Sequence, residues 1–344
     1  MNILDRPQTL LEDWRFRLVF RKFLAVALIV VPSGFSTEAF SEPIKLGYAA
    51  LSASHAPAWM AKEGGYLSKR GIDAELIYVP QITATQALIA GEIQLAQVTG
   101  VSTAGAILAG ADVRIVASSL NRLVGSIYSR PEIKTAEQLK GKKLGISRFG
   151  ALSEVGSSVF LERFGLKRGT DVALIQLGGL PEIVTALERG AIQAGFTSPP
   201  NSGRAKRLGM RELFDLDTLG VEVQQTCITV TSKYLRDRRP VVKAVVESYA
   251  EGLHRFLLDR EFSMQVMKKY LRVNEKEVLD ESYEFYLQRF EKIPYPTLKG
   301  IKFVLDSMAE RQPRAKNVAP ESFVDLSLLQ EIDQSGFFKQ LWKS

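Results

Sequence analysis

The stretch "ALSASHAPAW" sets Ser52, Ser54 and His55 directly ahead of Pro57, where an apolar run gives way to a helix. Hydroxyls and free backbone N–H groups at a helix start can hold an oxyanion or the polar head of a small molecule. Plain N-capping, the alternative, accounts for one serine but not for all three polar groups. Four further clusters stand at the ends of expected strands, "SSLN" after the fourth. "TGVST" carries Thr99, Ser102 and Thr103, and "SSLN" carries Ser118, Ser119 and Asn121. "SRFGALSE" carries Ser147, Arg148, Phe149, Gly150 and Ser153, and "FTSPPN" carries Thr197, Ser198 and Asn201. Arg148 can pair with a carboxylate or a sulfonate, and Gly150 lets backbone approach a ligand closely. A solvated surface position is the other reading of Arg148. Trp59, Tyr48 and Phe149 are candidates for an apolar wall.

Other chemistries lack raw material. The chain has one cysteine, Cys227, and two histidines, His55 and His254, far apart in sequence. There is no C-x-x-C and no H-E-x-x-H, so neither a metal site nor a Ser-His-Asp triad is expected, and no cofactor is implied. Cys227 stands in "QQTCITV" and reads as a small buried apolar residue. The net charge of +7 comes from 45 Lys and Arg scattered among 38 Asp and Glu. No basic stripe with interleaved aromatics stands out, so nucleic acid is not an expected partner.

The elements that position these clusters are written twice. "KLGYA" at Lys45 returns as "KLGIS" at Lys143, 98 positions on. "KRGIDAELI" at Lys69 returns as "KRGTDVALI" at Lys167, and "GEIQ" at Gly91 as "GAIQ" at Gly190. Each unit alternates short apolar strands with helices that stop at glycine, which implies parallel sheets with crossover helices, one sheet per unit. From about Pro240 the sequence is almost wholly helical, and its Phe, Tyr and Leu stripes read as core that covers a sheet face.

Two β-like links, "LVGSIYSR" near 123–130 and "QQTCITVTS" near 224–232, run between the units. An α/β chain is therefore expected, with two lobes joined by two hinge strands and a helical C-terminal region. The expected lobes are 42–125 with 228–344, and 126–227. The cleft would lie between them at the carboxyl ends of the strands. Ahead of the first lobe, "FLAVALIVV" follows Arg15, Arg17, Arg21 and Lys22 and is followed by Thr37-Glu38-Ala39. Residues 1–41 thus read as a secretory signal peptide cleaved near Ala39 or Ser41; an uncleaved anchor or a buried helix is the alternative. An exported chain with one cysteine has no internal disulfide.

"PAWMAKEGGYLSKRGIDAELIYV" followed by "ALIAGEIQLA" resembles the substrate-binding proteins of nitrate/sulfonate/taurine-type ABC importers, the SsuA/THI5-like or NMT1-like family. The resemblance covers roughly 43–235. It implies the type II periplasmic-binding-protein fold, a periplasmic location, a small-molecule ligand and delivery to an ABC permease in the inner membrane by a monomer. Two departures matter. The aspartate common after G-x-I in that family is Gln94 in one unit and Gln193 in the other. The related pyrimidine synthases of thiamine-precursor metabolism use a cysteine-rich motif and a histidine, and this chain has no such cluster. That enzymatic reading and a periplasmic ligand sensor are the alternatives to transport.

Overall fold

The computed structural model describes residues 43–309 and 311–343. The expected signal peptide lies outside the described residues.

The chain runs β1 (Ile44–Tyr48), α1 (Ala56–Glu63), β2 (Ala74–Tyr78), α2 (Gln81–Ala90), β3 (Leu95–Val98), α3 (Gly100–Leu108) and β4 (Val113–Arg122). It crosses over into β5 (Ser126–Ser129), β6 (Lys142–Ile146), α4 (Leu152–Arg163), β7 (Val172–Gln176), α5 (Leu180–Glu188), β8 (Ala194–Thr197), α6 (Asn201–Arg207) and β9 (Arg211–Asp215). It returns as β10 (Glu222–Thr231) and ends in helices α7 (Ser232–Asp237), α8 (Arg239–Leu258), α9 (Arg260–Leu271), α10 (Lys276–Leu287), α11 (Leu298–Met308), α12 (Ser327–Gln334) and α13 (Phe337–Leu341).

Two five-stranded sheets result, ordered β2-β1-β3-β10-β4 and β7-β6-β8-β5-β9. The sheets are mixed rather than wholly parallel. Each takes its fourth strand from a crossover, and that strand runs antiparallel to both neighbours. The expected links are therefore full sheet members. β10 is ten residues long and buried through its middle. The turns that pass between the sheets are short, and the one after β4 uses Gly125 at φ +125°, a conformation that favours glycine.

The repeat in the sequence is a repeat in contacts. Ile44 pairs with Ala74 in the first sheet, and Lys142 pairs with Val172 in the second, both exactly 98 residues on. The glycine of each K-L-G exists because the isoleucine of each G-x-I-Q lies on it. A Cβ at Gly47 would stand 2.7 Å from Ile93 Cδ1, and one at Gly145 would stand 2.5 Å from Ile192 Cδ1. The following glutamines bracket the same junction. Gln94 Oε1 accepts from the Lys45 N–H at 2.8 Å while its Nε2 donates to Gly91 O. Gln193 does the same with the Lys143 N–H at 3.2 Å and Gly190 O. A neutral amide can donate and accept at once, which a carboxylate cannot.

The C-terminal helices pack on the first sheet and also reach the second lobe. α8 packs on α1 so closely that a Cβ at Gly252 would lie 2.3 Å from Pro57 O. α11 lies against β10 and α3, whereas α10 touches α6 through a 2.7 Å ion pair between Lys206 and Glu281. Among the described residues no helix is long and apolar enough to cross a membrane.

Candidate functional site

The carboxyl ends of β1, β2 and β3 face those of β6, β7 and β8 across a cavity of about 280 Å3. Ser52, Ser54 and His55 reach it from the loop after β1, and Tyr78 and Pro80 from the end of β2. Thr99 comes from the end of β3. The second lobe supplies Ser147, Arg148 and Ser153 after β6, the turn Gly178–Glu182 after β7, and Phe196 with Ser198 on and after β8. Gln225 enters from β10.

Four helices begin at this wall. A 3-10 turn at Ala53–His55 leads into α1, Thr99 caps α3 by accepting from the Ser102 N–H at 3.2 Å, and α4 and α5 start at Leu152 and Leu180. Their positive ends favour a negatively charged guest. Arg148 adds a full positive charge and forms no ion pair among the described residues. Glu182 is the one carboxylate on the lining among the described residues.

Three side chains accept N–H groups of the loop that carries Arg148. The Ser147 N–H donates to Ser153 Oγ at 2.9 Å, the Phe149 N–H to Gln176 Oε1 at 3.1 Å, and the Gly150 N–H to Glu154 Oε2 at 2.7 Å. Gly150 sits at φ +77°, so a side chain there would be strained. On the opposite wall, Ser52 Oγ meets the Tyr286 hydroxyl at 2.8 Å and Ser54 Oγ at 3.2 Å. The Ser54 hydroxyl also lies 3.1 Å from His55 Nδ1. Burial pushes His55 down to about 4, with the backbone carbonyls of Gln97 and Ser52 opposing in part. The ring is thus neutral near pH 7 and offers hydrogen bonding rather than charge. Tyr78 is held above its ordinary value by burial, with Arg148 across the gap pulling the other way.

Thr99 and Ser198, the polar endings of the two repeated units, line this single cavity. Ser52, Ser54, His55, Arg148 and Ser153 join them. The other candidates stand elsewhere. Trp59 is fully buried and stacked on Tyr270 at 5.0 Å, beneath the cleft rather than in its wall, and Tyr48 packs edge-on against Trp59. Ser118 and Asn121 were expected in a loop after the fourth strand. β4 instead continues to Arg122, so both are buried in the sheet, where Ser118 Oγ donates to Thr226 O and Asn121 Nδ2 to Tyr295 O. Ser102 lies 3.1 Å behind Thr99, and Thr197 is fully buried in β8. Phe149 is nearly half exposed beside the cavity, and Gly150 shapes the loop without lining it.

Tyr78, the Gly178–Glu182 turn and Gln225 are lining residues that the polar-cluster argument passes over. "QLGGLPE" carried a signal, a Gly-Gly turn opening a helix with proline in its first turn. Tyr286 carried none, because its place depends on how α10 docks. Cys227 is buried in β10, where burial pushes its thiol up to about 12.

Several solved structures share this fold at low sequence identity. A protein of Bordetella bronchiseptica RB50 superposes with a TM-score of 0.72 at 18% identity, covering 85% of this chain and 97% of that one. The periplasmic aliphatic sulphonate binding protein SsuA of Escherichia coli gives 0.68 at 20%, covering 83% and 92%. The periplasmic nitrate-binding protein NrtA of Synechocystis PCC 6803 gives 0.69 at 16%, covering 85% and 88%. The architecture is the type II periplasmic-binding-protein fold. No curated protein matches the chain by sequence. The NMT1/THI5-like family profile matches residues 52–259, which is more than half of the chain and spans both halves of the cleft, and the chain therefore belongs to the NMT1/THI5-like family.

Proposed function

We propose that this chain is an extracytoplasmic solute-binding protein. It captures a small polar or anionic organic molecule between its lobes and hands it to the permease of an ABC importer. One observation carries the reading: the two copies of one strand–helix module end in Thr99 and Ser198 from opposite sheets on the same cavity, with Arg148 on its lining. A guest that touches both walls stabilises the closed arrangement over the open one by contacts that only closure provides. The solved structures named for sulphonate and nitrate binding give the same reading an anionic direction.

The chemistry needed for catalysis is sparse. His55 is neutral and hydrogen-bonded to a serine, and no group of three or more metal-ligating side chains gathers among the described residues. The protein acts as a monomer in the periplasm in this reading, and its export signal is the segment before residue 42.

A thermal-shift screen with short alkanesulfonates, nitrate, carboxylates and amino-acid derivatives tests it, since a ligand that binds the folded state raises Tm by mass action. A hit that vanishes in Arg148→Met places the guest in this cleft. Turnover of any of these compounds by the wild-type protein would overturn the transport reading.

A further inference from the structure

We infer that Glu154 is a positioning residue that makes the presentation of Arg148 depend on lobe closure, with Arg311 as its partner from the C-terminal helices. The inference rests on the binding reading only in that Arg148 faces the guest.

Glu154 lies in the first turn of α4 and is 1% exposed, an unusual place for a carboxylate. Its two oxygens serve different parts of the molecule. Oε2 accepts the Gly150 N–H at 2.7 Å and so fixes the turn that follows Arg148. Oε1 accepts from Arg168 Nη1 at 2.9 Å, within the second lobe, and from Arg311 Nη1 at 2.6 Å. Arg311 follows α11, held there by its N–H to Met308 O at 3.1 Å, and α11 packs on β10 of the first sheet and on α3, the helix between β3 and β4. One buried carboxylate thus joins the ligand-facing loop of one lobe to the helical cover of the other.

The chemistry explains why opening would be felt at Arg148. Charge-assisted hydrogen bonds of this length are about twice as strong as neutral ones. When the lobes part, Arg311 is the partner that must leave, because Arg168 stays on the same lobe as Glu154. Oε1 then loses one of the two donors that fix the plane of the carboxylate, so Oε2 is held less firmly on the Gly150 N–H. Closing restores both. Other ties between the lobes, Lys206 with Glu281 and Asp217 with Arg122 and Arg289, reach no residue of the 147–150 loop.

The test needs no ligand. Spin labels on cysteines introduced at the exposed positions Glu92 and Lys140, one on each lobe, report the separation of the lobes. Cys227 is fully buried and can stay. Amide hydrogen exchange of residues 147–152 reports the loop. In Arg311→Met a second, longer label distance is expected, with loop exchange faster by about tenfold. Arg168 still neutralises Glu154 in this variant, so the fold survives. Arg311→Lys, which can supply the same single donor and charge, is expected to behave as the wild type does.

Unchanged distance and loop exchange in Arg311→Met would overturn the inference. So would faster exchange spread over β6, β7 and β8, which marks general loosening, and so would Arg311→Lys behaving like Arg311→Met. Failure of the binding reading would show separately, as absence of any ligand in the thermal-shift screen while these label distances still respond.

Discussion

The Ser52 hydroxyl stands 3.4 Å from the carbonyl oxygen of Pro199, 147 residues away and on the loop of the opposite sheet. The Tyr286 hydroxyl, from α10, meets the same serine at 2.8 Å in a fully buried setting. The cleft wall at Ser52 is therefore a three-part junction: a loop from each lobe and a helix from the C-terminal cover. Tyr286→Phe removes this hydroxyl and leaves the shape intact. A loss of about 1 kcal/mol is expected, the usual worth of a buried neutral hydrogen bond, seen as a Tm lower by about 2–4 °C. A Tm equal to that of the wild type would mean that this hydroxyl holds nothing.

Arg148 is the cation on the cavity wall, and the starts of four helices add to its field. For an anionic guest found in the screen, Arg148→Met is expected to weaken binding by about 10- to 100-fold, the worth of one charge-assisted contact. Arg148→Lys keeps the charge but not the fork and is expected to fall between the two. Calorimetric titration at two salt concentrations measures this. Equal affinities for all three proteins would move the guest away from Arg148.

Gln94 and Gln193 bracket equivalent junctions in the two sheets. Their substitution by alanine is expected to cost about 1 kcal/mol each, from bonds lost to backbone groups. The two sites share no partners, so the double variant should add to within about 0.5 kcal/mol. Urea titration of the single and double variants decides it. A strongly non-additive pair would mean that the two modules do not stand as separate units.

The modules were legible because their signals are local. K-L-G and G-x-I-Q meet within each unit, so the contact of Ile93 with Gly47 left its mark twice, 98–99 residues apart. The polar loops after β1, β3, β6 and β8 were legible for the same reason. Ser118 and Asn121 were misplaced because the length of β4 is set by its pairing with β10, over 100 residues later. Trp59 was misplaced because its periodicity shows one buried face of α1 but not that Tyr270 lies against it. Tyr286 and Arg311 were out of reach because helix patterns do not say where helices dock.

The docking of α8 on α1 illustrates how much such a contact demands. A methyl group at Gly252 would sit 2.3 Å from Pro57 O and 2.6 Å from Ala61 N, both of them backbone atoms that cannot step aside. Gly252→Ala is a favourable change for an isolated helix, by roughly 1 kcal/mol. Here the overpacking should outweigh that, for a net loss of about 2 kcal/mol. A Tm that rises would show that the two helices have room to separate.

His55 gives the acid response a defined direction. Burial holds its folded value at about 4, against an ordinary value of about 6.5 in the unfolded chain. Above pH 6.5 both states are neutral and the residue contributes no slope. Between pH 6.5 and 4 the unfolded chain takes up a proton that the folded chain refuses, so stability falls with pH through that window and levels off below it. The full loss is on the order of 3 kcal/mol. His55→Gln keeps a hydrogen-bonding side chain beside Ser54 but cannot titrate, so its Tm should fall less steeply than that of the wild type between pH 6.5 and 4.5. Parallel curves for the two proteins would mean that the imidazole gains its proton inside the fold without cost, and the cleft wall near Ser52 would then have to admit water.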